Sequence, residues 1–92
     1  MIKSFRSRAM RQLWETGFTS KIDRRLHDRT LRRLDVLDRA SARDDLNVPG
    51  FDFHPLRGFK PVRYSIHING PWCITFEFED GDVFHLDLEQ YH

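Results

Sequence analysis

The chain has too little cysteine for a disulfide: Cys73 is alone among 92 residues, so no internal disulfide can brace the fold. It has no apolar run near the roughly 20 residues needed to cross a bilayer, so no membrane partner is expected. The opening Met1-Ile2-Lys3-Ser4-Phe5-Arg6 lacks the apolar core of a signal peptide, and a cytoplasmic setting fits. There is no glycine-rich phosphate loop and no helix-turn-helix spacing. Repeats, linkers and low-complexity tracts are also missing. No Cys-x2-Cys or His-x3-His pair joins His54, His67, Cys73, His85 and His92, which speaks against a zinc site. No cofactor is implied. Cys73 with one histidine across a strand does not make a nucleophilic triad.

What is present is a charge asymmetry and a rich aromatic complement. Residues 1–43 carry 12 Lys/Arg against 5 Asp/Glu, a balance of +7, and residues 44–92 carry 3 against 9, a balance of −6. The basic half suits phosphate backbones or an acidic partner, or simply solvates helices. Eight Phe, two Trp and two Tyr supply apolar area that a single domain of this size needs.

The last third reads as strands. Val62, Tyr64, Ile66 and Ile68 alternate with polar residues, as do Trp72, Ile74, Phe76 and Phe78, and then Phe84, Leu86 and Leu88. Period-two alternation marks strands with one buried face. Keeping that face in register predicts a three-residue loop at Asn69 to Pro71, pairing Ile68 with Trp72, Ile66 with Ile74, Tyr64 with Phe76, His67 with Cys73 and Arg63 with Glu77. A second loop, Asp80 to Asp82, then pairs Phe78 with Phe84 and Phe76 with Leu86.

Upstream, Ile2 to Phe5 is a short strand added to the sheet. Ser7 to Thr16 forms a helix with Ser7 as N-cap and Gly17 as stop. Ser20 caps a longer helix that ends near Ser41, with Ile22, Leu26, Leu34 and Leu37 on one face and Thr30 between them; Asp23 stands three residues after the cap. Ala42 to Asn47 forms a further short turn. Phe51 to Arg57, with Pro55 lacking a donor, is an edge strand or a loop beside the sheet. The expected class is α+β: one N-terminal strand and two helices packed on one face of a mostly antiparallel sheet, in a single domain over residues 1–92. The helices cover the face of Tyr64, Ile66, Trp72, Ile74, Phe76 and Leu86. The other face carries His67, Cys73, Thr75, Glu77, His85 and Asp87.

Metal-free RNA cleavage needs a base for the ribose 2′-hydroxyl, an acid for the departing 5′-oxygen and cations for the phosphate. His54, Arg57, Lys60, Arg63, Tyr91 and His92 supply these types. Each also has a plainer role: His54 as a turn cap, Tyr91 as a rim aromatic, His92 as a free terminus.

The opening Met1-Ile2-Lys3-Ser4-Phe5, Leu46-Asn47-Val48-Pro49-Gly50, His54-Pro55-Leu56-Arg57-Gly58, Tyr64-Ser65-Ile66, Asn69-Gly70-Pro71-Trp72-Cys73-Ile74-Thr75-Phe76 and the closing Tyr91-His92 together resemble HigB-type toxins. These are plasmid-maintenance or host-inhibition killer proteins of the RelE/ParE superfamily, and the similarity runs from end to end. The resemblance implies a RelE-like fold and a ribosome-dependent endonuclease that cuts mRNA in the ribosomal A site without a metal. It implies silencing by a HigA-type helix-turn-helix antitoxin, with operator DNA bound only through the toxin–antitoxin complex. His54 and His92 would be the acid/base candidates, in either order, Tyr91 would orient or stack on RNA, and Arg57 would contact phosphate. Lys60, Arg63, His67, Cys73 and Gln90 would line the RNA path, and the basic half would face ribosomal RNA. Three positions depart from the family pattern. Cys73 stands where arginine is common, Gln90 where an acid is common, and His67 where a basic residue is common. These departures point to weakened cleavage. The alternative is a toxin that binds without cutting, either a ParE-like topoisomerase inhibitor or a ribosome blocker.

Overall fold

The computed structural model describes residues 1–91. Two helices, α1 (Arg8–Thr16) and α2 (His27–Arg39), lie on one face of a four-stranded antiparallel sheet. Its strands β1 (His54–Leu56), β2 (Arg63–Asn69), β3 (Trp72–Glu79) and β4 (Asp82–Gln90) are neighbours in chain order. The α+β architecture expected from the residue pattern is therefore the one observed. No helix among the described residues is long and apolar enough to cross a membrane.

Local chemistry sets the helix ends. The Ser7 hydroxyl accepts from the Met10 amide at 3.1 Å, and Gly17, at φ 85°, closes α1 in the left-handed conformation that glycine adopts without steric cost. The second helix starts later than expected. Asp23, not Ser20, is the cap: its carboxylate accepts from the Arg25 amide at 2.9 Å and opens a 3-10 turn, Arg24–Leu26, that runs into α2. A carboxylate is the stronger acceptor for exposed amides at a helix start. The Arg25 side chain and amide hold the Asp23 carboxyl down to about 2. The helix ends at Arg39, and a second 3-10 turn, Arg43–Leu46, follows.

Met10, Leu13, Leu34 and Leu37 from the helices and Ile66, Ile68, Ile74, Phe76, Val83 and Leu86 from the sheet are fully buried. Thr30 is buried with them, and its hydroxyl has no hydrogen-bond partner among the described residues. An unsatisfied buried hydroxyl costs about 1–3 kcal/mol. Thr30→Val keeps the shape and removes that cost, so it should stabilise the protein by about 1 kcal/mol, seen as a melting temperature roughly 4–8 °C higher. A lower melting temperature would show that the hydroxyl is satisfied.

The register of β2 and β3 matches expectation from Arg63↔Glu77 through His67↔Cys73. It then departs: Ile68 is bulged, and Asn69, not Ile68, pairs with Trp72, which leaves Gly70 and Pro71 as the turn. The second turn also differs. Glu79 pairs with Asp82, and the two turn residues, Asp80 and Gly81, both have positive φ, at 52° and 83°. That is the mirror-image turn for which Asp-Gly is favoured. Phe78 consequently meets Val83, and Phe84 meets Glu77. Val83 enters the core while Phe84 stays partly exposed, the reverse of the expected assignment. The phase is restored by a bulge in which His85 and Leu86 stand opposite Phe76, with His85 at φ 51°.

Ile2 to Phe5 joins the sheet through two parallel bridges, Ile2↔Val83 and Phe5↔Leu86, rather than as a full strand. Four backbone hydrogen bonds of 2.8–3.1 Å, between Met1, Lys3, Ser4 and Arg6 on one side and Val83 and Leu86 on the other, fix it along β4. On the far edge, β1 is only three residues long and contains Pro55, a combination that blunts an otherwise open sheet edge.

Candidate active site

A pocket of about 330 Å³ opens on the sheet, lined by Asp52, His54, Leu56, Ser65, His67, Gly70, Cys73 and Tyr91. Three strands, β1, β2 and β3, and the residue that follows β4 build it. The β1–β2 pairing sets His54 opposite Ser65, and the β2–β3 pairing sets His67 opposite Cys73. Tyr91 arrives at the end of β4, where its amide donates to the Pro71 carbonyl at 2.6 Å. The fold therefore brings together His54, His67, Cys73 and Tyr91, which are far apart in the chain. His92, the other expected imidazole, lies outside the described residues.

Both pocket histidines have hydrogen bonds that define their tautomers. His54 Nδ1 is 2.7 Å from the Asp52 carbonyl oxygen. A carbonyl can only accept, so Nδ1 carries the proton and, in the neutral ring, Nε2 presents a lone pair. The His54 side chain is 48% exposed, so that lone pair is accessible. The Asp52 carboxylate lies 3.9 Å from Nδ1. Asp52 itself sits at φ 48°, a conformation uncommon outside glycine and found where a fold holds functional groups in place. In His67 the polarity is reversed: Nε2 is 2.9 Å from the Gly70 carbonyl, which leaves Nδ1 as the free nitrogen of the neutral ring.

Cys73 is 8% exposed, with Sγ 3.9 Å from the Pro71 carbonyl. The Tyr91 phenol is pushed up from its ordinary value, first by partial burial and then by the charge of Glu89. No arginine or lysine lines the pocket among the described residues. Arg57 and Lys60 lie exposed in the β1–β2 connection and have no hydrogen-bond or ion-pair partner among the described residues. Gln90 is exposed and pairs with Trp72.

Arg63, expected on the RNA path, is 2% exposed and points its guanidinium into the protein's own polar groups. It lies 3.3 Å from Glu77 Oε2 and donates to Thr75 Oγ1 at 3.0 Å and to the His85 carbonyl at 2.9 Å. His85 Nδ1 is 2.9 Å from the same Glu77 oxygen. Two arginines of the basic half are likewise engaged in the fold. Arg33 donates to the His67 carbonyl at 2.7 Å and lies 4.8 Å over the Phe51 ring; Arg29 donates to the Ile68 carbonyl at 3.2 Å. Together they satisfy carbonyls at the β2 bulge, beside the pocket. Burial lowers the Arg33 pKa from its usual value.

The sequence reading missed Asp52 and Ser65. Ser65 could have been found, since it shares the polar face of β2 with His67. Asp52 had no such signal, because it precedes the strand.

The pocket thus holds an oriented imidazole, a second imidazole and a tyrosine near the end of the chain. The family described as the RelE-like toxin of the type II toxin-antitoxin system HigB matches residues 3–92. The chain belongs to the HigB-like toxin family. It is similar to the Endoribonuclease HigB of Proteus vulgaris, at 38% identity over 92 residues, the full length of both. It is also similar to an uncharacterized protein of Haemophilus influenzae, at 29% identity over 89 residues, 95% of this chain and 88% of that one. This HigB-like chain thus spans its relatives almost completely, and its two-helix, four-strand layout is consistent with a RelE-like toxin.

Proposed function

We propose that this protein is a toxin of a type II toxin–antitoxin system that acts as an endoribonuclease and cuts mRNA in the ribosomal A site without a metal. The observation that carries the reading is the shared pocket of His54 and Tyr91, with His92 directly following Tyr91 in the chain.

In this reading His54 Nε2 takes the proton from a ribose 2′-hydroxyl, the 2′-oxygen attacks the adjacent phosphorus, and the 5′-oxygen departs with a proton from His92. The products are a 2′,3′-cyclic phosphate and a 5′-hydroxyl. Histidine suits both roles because its ordinary pKa lies near neutrality. Tyr91 stacks on or orients the RNA, and His67 and Gln90 contact it. Arg57 and Lys60, on the rim, supply phosphate charge from outside the pocket. Exposed arginines of the basic half, such as Arg8, Arg24 and Arg32, face ribosomal RNA. Arg63 acts from beneath the surface and not as a direct contact. The partner that silences the toxin is a HigA-type helix-turn-helix antitoxin, operator DNA is bound only through that complex, and the place of action is the cytoplasm.

A pocket with no arginine or lysine among the described residues favours one alternative, a ribosome-bound blocker that no longer cuts. Mapping message 5′ ends in cells that express the protein separates the readings. New ends within translated codons are expected. Stalled ribosomes without new ends would establish the blocker, and a DNA-damage response without new ends would establish a ParE-like topoisomerase inhibitor.

A further inference from the structure

The buried polar contacts around Arg63 include groups that the cleavage chemistry above does not use. Thr75 is fully buried in the middle of β3. Its hydroxyl accepts from Arg63 Nη2 at 3.0 Å and donates to Glu89 Oε2. One hydroxyl can do both at once, because it carries one proton and two lone pairs. Arg63 is itself fixed by Glu77 on β3 and by the His85 carbonyl on β4. The result is a line of contacts from β2 through β3 to Glu89, near the end of β4.

That end of β4 is the part with the least support. The N-terminal segment borders β4 only as far as Leu86. From Asp87 onward the strand has, among the described residues, β3 alone as its sheet neighbour, through Asp87↔Thr75, Leu88↔Ile74, Glu89↔Cys73 and Gln90↔Trp72. Glu89 stands two residues before Tyr91, on the stretch that delivers Tyr91 to the pocket. A side-chain tie there adds to a single ladder of backbone bonds, and displacing a reacting or orienting group by about 1 Å can cost about 100-fold in rate.

We propose that Arg63, Thr75 and Glu89 form a positioning relay that holds the end of β4, and Tyr91 with it, at the pocket for RNA cleavage. The relay rests on the endonuclease reading. It assigns a use to an arginine that the fold withdraws from the surface, and it makes Thr75 the residue on which the relay turns.

The test compares Thr75→Val, Thr75→Ser, Glu89→Ala and the double variant Thr75→Val/Glu89→Ala in cleavage of a translated message. Valine keeps the shape and can neither accept nor donate, whereas serine does both. Thr75→Val and Glu89→Ala should each lower the maximal cleavage rate about tenfold. Thr75→Ser should restore it, and the double variant should be no slower than the slower single one. A second readout is the Tyr91 phenol, titrated by ring NMR in the intact protein. The titratable and charged groups that act on it are Glu89, Arg63, Cys73 and Asp87. Releasing Glu89 by Thr75→Val should shift the Tyr91 midpoint, which a change in global stability alone would not do. Wild-type rates in both Thr75→Val and Glu89→Ala, while His54→Ala is inactive, would overturn the relay and leave the endonuclease reading standing. A fully active His54→Ala would instead overturn the endonuclease reading, and the relay with it. If Thr75→Val does not fold, the partly exposed Glu89→Ala decides by the same rate criterion.

Discussion

His54→Ala is expected to lower the rate of message cleavage by about 10²–10⁴-fold, the usual contribution of a positioned acid or base. The fold should survive, because the imidazole is nearly half exposed and, among the described residues, makes one hydrogen bond, to the Asp52 carbonyl. The loss should therefore appear in cleavage and growth inhibition without a matching fall in melting temperature. His54→Asn is an informative companion: it can keep a donor to the carbonyl, but its amide is not basic, and it should be as inactive as alanine. Rates within about threefold of wild type for both variants would remove His54 from the chemistry, since even a weak general base exceeds that.

Cys73→Arg is the second large effect, and its direction is a gain. Among the described residues the pocket has two imidazoles and a phenol but no arginine or lysine. Cleavage builds negative charge on the phosphate, and one well-placed donor is worth about 10²–10³ in rate. Position 73 faces the pocket, with His67 across from it on β2 and Glu89 across from it on β4. An arginine there can reach the phosphate. It can also pair with Glu89, so the expected gain is smaller, about 10–100-fold. Cys73 is nearly buried, and a larger charged group should lower stability by about 1–3 kcal/mol. Faster cleavage from a less stable protein is the expected combination. No gain in rate would mean that Arg57 or Lys60 already serves the phosphate.

Much of the scaffold could be read from residue type and spacing. Ser7 and Gly17 define α1 because a hydroxyl acceptor and a left-handed glycine are local devices. The alternation of Tyr64, Ile66, Ile74 and Phe76 gave their pairing correctly because a buried face tolerates no slip. Ile68 and His85 escaped prediction for one reason. A bulge adds one residue to a strand and is selected by what its neighbours need, here carbonyls for Arg29 and Arg33 and a correction of phase after the Asp80-Gly81 turn. The cap at Asp23 was misplaced because Ser20 offered the same chemistry three residues earlier. Among site residues, His54, His67, Cys73 and Tyr91 were legible as types, and their common pocket follows from the sheet order. The withdrawal of Arg63 was not legible. It depends on Glu77, Thr75 and the His85 carbonyl converging from two further strands, and charge patterning alone reads every arginine as exposed.

The pairing of the first residues with β4 has a consequence for how the toxin is made. Met1 donates to Gly81 at 2.7 Å across 80 positions, and Val83 and Leu86 complete the core from the last strand. A ribosome synthesising this chain must release almost all of it before the sheet can close. Products terminated before β4 lack the strand that both the N-terminal segment and the core require, so they cannot close the sheet that carries the site.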